Sequence, residues 1–222
     1  MKNISLILLF FLAACAQQPK TQEVTKQETK GPNKDINKVF DDYYEERLHY
    51  FPLEATGIGD NRFNDQLPAD IADSYREKLK LFYEKYLEEI NKFDRNSLSG
   101  EDMLSFDMFK REMQMQLEGL GFHENLMPIN QFWSMPLTFG QLGSGSGNQP
   151  FKTVKDYDDF LKRIDGFVAY VDVAIGNMKR GLAQHITPPN VLMKKVLPQL
   201  KAMDVQDITA SVFYGPIKKL PS

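Results

Sequence analysis

The sequence predicts an all-α domain of five to six helices with one long ordered loop. Three observations point there. Apolar residues recur every three to four positions in five separate segments. No segment sustains the two-residue alternation of a half-buried strand. Ser99 and Thr153 are each followed three residues later by an acid, Asp102 and Asp156, the pattern of a helix start.

The first helix is written in "DINKVFDDYYEERLHYFP". Ile36, Val39, Phe40, Tyr43 and Leu48 follow the helical spacing, and Pro52 stops the run. Residues 68–93 repeat the pattern with Ile71, Tyr75, Leu79, Phe82, Tyr86, Ile90 and Phe93, and Pro68 suits a first turn. The third helix follows Ser99 and carries Phe106, Met113 and Leu117. The fourth follows Thr153. Its expected core stripe is Phe160, Leu161, Ile164, Val168, Val171, Ile175 and Met178, with Gly181 as its end. Pro188 and Pro189 open a fifth helix with Val191, Leu192, Val196, Leu200 and Met203, and a short sixth piece fits 204–214. Residues 119–151 form the long connection. They hold the only Trp, Trp133, and many large apolar residues, so the loop must pack on something.

The N-terminus speaks of location. Lys2 precedes an apolar run from Ile4 to Ala13, too short for the ~20 residues a spanning helix needs, and of the length of an export signal. The run ends in Leu12-Ala13-Ala14-Cys15, which looks like a bacterial lipobox. That resemblance implies removal of residues 1–14 and lipid attachment at Cys15. A plain secretory signal cut near Ala14 is the alternative. One Cys cannot close an intramolecular disulfide, so stability rests on packing. Residues 15–35 lack aromatic residues and are rich in Gln, Lys, Thr and Glu, the composition of a flexible tether with a reach on the order of 25 Å. The expected partner is therefore a membrane, through lipid on Cys15. Ala16, not Asp, follows the Cys, which favours the outer membrane of a Gram-negative envelope. Losing Lys2 leaves 26 basic against 30 acidic residues, with no basic stripe, and excludes nucleic acid as a partner.

Four stretches invite a chemical reading. His123-Glu124 begins like the His-Glu-x-x-His zinc motif, but Met127 stands where the second His belongs and Pro128 follows. It reads as a loop His beside a surface Glu. "GQLGSGSGNQP" lacks the Lys-Ser/Thr of a phosphate loop and reads as a flexible loop. Asp41, Asp42, Glu45 and Glu46 read as a solvated face. Asn130, Gln131, Phe132 and Trp133, at the centre of the long loop, are the candidates for a cleft-facing or partner-facing surface. No catalytic, metal-ligating or cofactor-binding set is visible.

"FPLEATGIGD", "NQPFKTVKDYDDFLKRIDGF" and "GLAQHITPPNVLMKKVLPQL" together resemble the bacterial domain-of-unknown-function family 885. The resemblance covers about residues 36–215. It implies a largely helical protein, frequently a lipoprotein, akin to zinc metallopeptidases related to helical carboxypeptidases. In that family the His-Glu-x-x-His helix lies in a C-terminal part downstream of these motifs. No residue here matches those ligands or the catalytic Glu, so zinc is expected only in that part and no cofactor in this chain. The resemblance thus implies that residues 36–222 are the N-terminal half of a larger helical fold, inactive alone, with a downstream C-terminal domain or split partner. Phe122, Leu126, Met127, Phe132, Trp133, Val212, Phe213, Tyr214 and Ile217 are then expected to await a partner surface. The alternative is a stand-alone lipoprotein module that grips a peptide or another protein. An enzyme complete in these residues would need an acid–base or nucleophilic set that the sequence does not display.

Overall fold

The computed structural model describes residues 33–220, which are helical with no strand among them. Cys15, the expected export signal and most of the expected tether lie outside the described residues.

Helix α1 (Lys34–Tyr50) starts where the Asn33 side chain accepts from the amides of Asp35 and Ile36. Pro52 ends it and at once opens α2 (Pro52–Gly57), because a missing N–H costs nothing in a first turn. Helix α3 (Asp73–Asn91) begins five residues later than Pro68 suggests. Residues 68–72 form turns instead, with Asp70 N–H on Pro68 O and Ala72 N–H on Ala69 O. Asn177 Nδ2 takes the Ile71 carbonyl at 2.9 Å.

Helix α4 (Gly100–Gly119) has half of the capping box the sequence suggests. Ser99 Oγ accepts from Asp102 N–H, but the Asp102 carboxylate accepts from Asn33 N–H at 2.9 Å and from Ser99 Oγ at 2.7 Å. The acid therefore ties the starts of α1 and α4 together. These three long helices share an aromatic core. Leu79, Phe82, Tyr83, Tyr86 and Met113 are buried there. Tyr43 stacks on Phe82 with ring centroids 5.3 Å apart and meets Phe109 edge-on at 5.0 Å.

The long connection is not wholly a loop. A single 3-10 turn spans Glu124–Leu126, and α5 (Met135–Gly143) follows, opened by Pro136. Phe139 of α5 stacks on Phe160 and Phe167, and with Leu67 and Leu142 it makes a second core. Helix α7 (Asn190–Met203) follows Pro189 and runs through Pro198. The expected sixth piece is a 3-10 turn at Ile208–Ala210 and a one-turn α8 (Tyr214–Ile217).

Helix α6 (Val154–Ala183) starts with a complete capping box. Thr153 Oγ accepts from Asp156 N–H, and Asp156 Oδ2 accepts from Thr153 N–H at 2.8 Å. Gly181 does not end this helix. It lies inside the last turn because a Cβ there would stand 2.6 Å from Ile186 O and 3.0 Å from Leu126 O. The expected core stripe is also corrected. Only Phe160 of that set is buried. Leu161, Ile164, Val168 and Ile175 are exposed at 59, 37, 56 and 42 %. The buried row is Phe160, Arg163, Tyr170, Ala174, Asn177 and Gly181, one residue and so ~100° around the helix from the apolar row.

Candidate partner-binding surface

The inward row of α6 explains which way the helix faces. Arg163 is fully buried and donates to three segments, at 52–56, 63–66 and 149. Its Nε reaches Gln66 O at 3.1 Å. Its Nη2 reaches Thr56 Oγ at 2.6 Å, Phe63 O at 3.1 Å and Pro52 O at 3.4 Å, and Nη1 bonds Gln149 Oε1. Burial pushes the guanidinium down to about 10, and the charges of Asp65 and Asp159 partly restore it. It stays charged at neutral pH. Thr56 also bonds Asn64 Oδ1 at 2.7 Å. A buried donor fork of this kind satisfies carbonyls that would otherwise be stranded.

This hub gives the short motifs of the chain a common reason. Pro52 and Thr56 belong to one quoted stretch and Gln149 to another, and all three meet Arg163. Arg163 lies within the second quoted stretch, but its role was not legible, since its side chain reads as an ordinary surface base on a helix. The signal that could have found it is its position, three residues after Phe160 and four before Phe167, on the row that the second core requires.

With the polar row inward, the apolar row of α6 is left facing out. Val168, Val171, Ile175 and Leu182 follow alternating steps of three, four and seven, and Leu182 is 66 % exposed. The four loop residues singled out in the sequence come together in one turn. Asn130 Oδ1 accepts from the amides of Phe132 and Trp133 at 2.8 and 2.9 Å. This side-chain cap turns both rings outward, 69 and 74 % exposed, with centroids 5.9 Å apart. Gln131 O accepts from Gln199 Nε2 of α7 at 3.0 Å, which pins the turn to that helix. Of the other residues expected to await a partner, Phe122, Val212 and Ile217 are exposed. Leu126 is not. It is buried against α6 beside Gly181, because the 3-10 turn packs there. Met127, Phe213 and Tyr214 are half-buried.

The zinc chemistry implied by the family resemblance does not fit the residues present. His49 lies in α1, His123 precedes a 3-10 turn, and His185 follows α6 with φ 58°. Among the described residues no three His, Cys, Asp or Glu side chains converge in a metal-holding group. His123 and Glu124 are both exposed, in a segment with no α-helical turn to set an i, i+4 pair. The acidic face of α1 is matched by cations. Asp42 pairs with Lys38 at 2.6 Å, Glu45 with Arg62 at 2.9 Å, and Glu46 with Lys85. Among the described residues no helix is long and apolar enough to cross a membrane.

The fold and surface thus define an all-helical domain with an exposed apolar row along α6. Residues 52–222 match the family described as bacterial protein of unknown function, DUF885, and the chain belongs to that family. Comparison with curated proteins and with solved structures finds no match for the chain.

Proposed function

We propose that this chain is a lipid-anchored envelope protein whose helical body binds another protein surface through the open face of α6. In this reading it serves as the non-catalytic, N-terminal portion of a metallopeptidase-like DUF885 protein. The observation that carries the proposal is the row Val168, Ile175 and Leu182, apolar and exposed, with half-buried Val171 between them, on a helix whose inward side is committed to Arg163 and Tyr170. Steps of three and four along such a row make the seam that a facing helix fills. Hydrolysis and zinc belong, in this reading, to the segment that carries His-Glu-x-x-His. Anchoring rests on Leu12-Ala13-Ala14-Cys15, and the outer membrane is the proposed site.

A second reading, a stand-alone peptide- or partner-binding module, draws on the Phe132–Trp133 pair. Two exposed rings held by one Asn cap are a rigid aromatic platform of the kind that anchors binding partners.

Co-expression with a DUF885 segment that carries His-Glu-x-x-His separates the two. Co-purification that Ile175→Lys abolishes and Trp133→Ala does not supports the first reading. Absence of any association defeats it. Detergent-phase partitioning tests the anchor: the wild-type chain should enter the detergent phase and Cys15→Ser should not. Equal partitioning removes the lipid from the proposal.

A further inference from the structure

Beside the proposed partner face lie two adjoining cavities of opposite character. The first is an apolar groove of about 490 Å³ between the first turns of α6 and the C-terminal segment. Phe151, Phe160, Leu161, Ile164, Ile217 and Leu220 line it. The second, of about 650 Å³, is lined by Ser144, Ser146, Lys152, Lys218 and Lys219 with no acidic residue. Phe151 and Pro216 belong to both walls. Both volumes lie in the range of ordinary small-molecule sites.

The second cavity is built, although its Gly/Ser sequence reads as a flexible loop. Gly145 has φ 73°, and a Cβ on it would stand 2.9 Å from Pro216 Cγ. Gly215 packs so closely that a Cβ would lie 2.5 Å from Ser144 O. Tyr157 Oη donates to Pro216 O at 2.9 Å and fixes the far side. The lysines are available. Twelve ion pairs occur among the described residues, and none uses Lys152, Lys218 or Lys219. Three cations around one cavity, none paired with a carboxylate among the described residues, attract an anion.

We propose that this double cavity binds a single-chain anionic amphiphile, a fatty acid or lysophospholipid, with its tail in the groove and its head among the lysines. The groove wall decides between an acyl chain and a peptide. A peptide needs hydrogen-bond partners along its backbone. The groove offers few, since Tyr157 Oη is engaged with Pro216 O and Ser211 Oγ accepts from Phe213 N–H. An acyl chain needs none. The site uses Leu161 and Ile164, whereas the proposed partner row runs from Val168 to Leu182, so the two proposals stand or fall separately.

The test uses the full chain with Cys15→Ser, which carries no covalent lipid, and dansyl-undecanoic acid as fluorescent probe. Saturable binding at one site is expected, with displacement by palmitate and at least about tenfold weaker displacement by hexadecanol, which lacks the charge. Lys152→Glu combined with Lys218→Glu should weaken palmitate by about tenfold and leave hexadecanol unchanged. Leu161→Glu should abolish probe binding, and Ile164→Gln, a milder change at the same wall, should weaken it. All four positions are exposed, so thermal unfolding should not shift. Absence of saturable binding overturns the proposal. So does equal competition by palmitate and hexadecanol, or binding to anionic vesicles without binding to monomeric palmitate.

Discussion

Helices α3 and α6 carry apolar rows of similar period, and the fold treats them in opposite ways. On α3, Leu79, Phe82, Tyr86 and Ile90 are all buried, with Leu79 the most exposed at 7 %. On α6, Leu161, Val168 and Ile175 face solvent. The difference lies in what stands opposite. Helix α3 faces two other helices, whose Tyr43, Tyr50, Phe109 and Met113 meet it with aromatic rings and an apolar side chain. Helix α6 meets α5 through Phe160 and Phe167, but elsewhere its inward side faces turns and loops, at 63–67, 71, 124–126 and 149. Their carbonyls need donors and their backbones need room. A helix against helices buries its apolar row. A helix against loop backbone buries Arg163, Asn177 and Gly181, and the apolar row is pushed to the outside.

The largest expected effect breaks the loop-facing side. Arg163→Ala strands the carbonyls of Pro52, Phe63 and Gln66 together with Gln149 Oε1, and leaves a cavity. A loss of about 5 kcal/mol in urea unfolding is expected, near the top of what single substitutions cost. Arg163→Met restores the volume without the donors and should still lose about 3 kcal/mol. A loss below about 1 kcal/mol for Arg163→Met would mean that packing, not hydrogen bonding, holds α6 in place. The helix-facing side is sharpened by Met113→Ala. Met113 of α4 is fully buried against α3, and its truncation should cost about 3 kcal/mol through lost contact and residual cavity. Here no polar group is stranded, so refilling the space with Leu should recover most of the loss.

The same contrast explains how much of this protein was legible in its sequence. The all-α class, the five long helices and the cap at Thr153 were legible because period and capping chemistry are local. Helix α5 was not, since its nine residues hold three Gly or Pro and sit in a run that reads as loop. The orientation of α6 was not legible either. Periodicity shows that an apolar row exists but not what faces it, and the competing row of Phe160, Phe167 and Tyr170 was hidden by Arg163 and Asn177 within it. The loop candidates Asn130 to Trp133 were legible as a cluster. Their grouping in one turn depends on Asn130 accepting two amides, which is again local chemistry.

A smaller effect belongs to the start of α6. Thr153→Ala removes one half of the capping box and should cost about 1 kcal/mol at neutral pH. The other half adds a pH dependence. Partial burial pushes the Asp156 carboxyl up, but the amides of Lys152 and Thr153 outweigh it and hold the group below its ordinary value. A depressed native value stabilises the fold above the unfolded pKa and is lost as the pH falls through the native one. Asp156→Asn should therefore differ from wild type at pH 7, and the gap should close below about pH 4. A gap that persists at pH 2 would show that Asn fails for steric rather than ionic reasons.

The smallest expected effect is on the open face. Ile175→Lys places a charge on a side chain that is 42 % exposed and belongs to none of the buried hydrophobic clusters. Unfolding should change by no more than about 0.5 kcal/mol. Leu79→Lys, on the equivalent row of α3, should prevent folding, because a buried ammonium would face Phe82 and Met113 without a counter-charge. Combining Ile175→Lys with Val168→Lys should also reduce binding of a hydrophobic dye and any concentration-dependent sedimentation, since both arise from one contiguous apolar strip. The opposite outcome would be equally informative. A loss of about 2 kcal/mol or more from Ile175→Lys alone would mean that this face is covered within the chain itself, by residues outside 33–220, and α6 would then obey the same rule as α3.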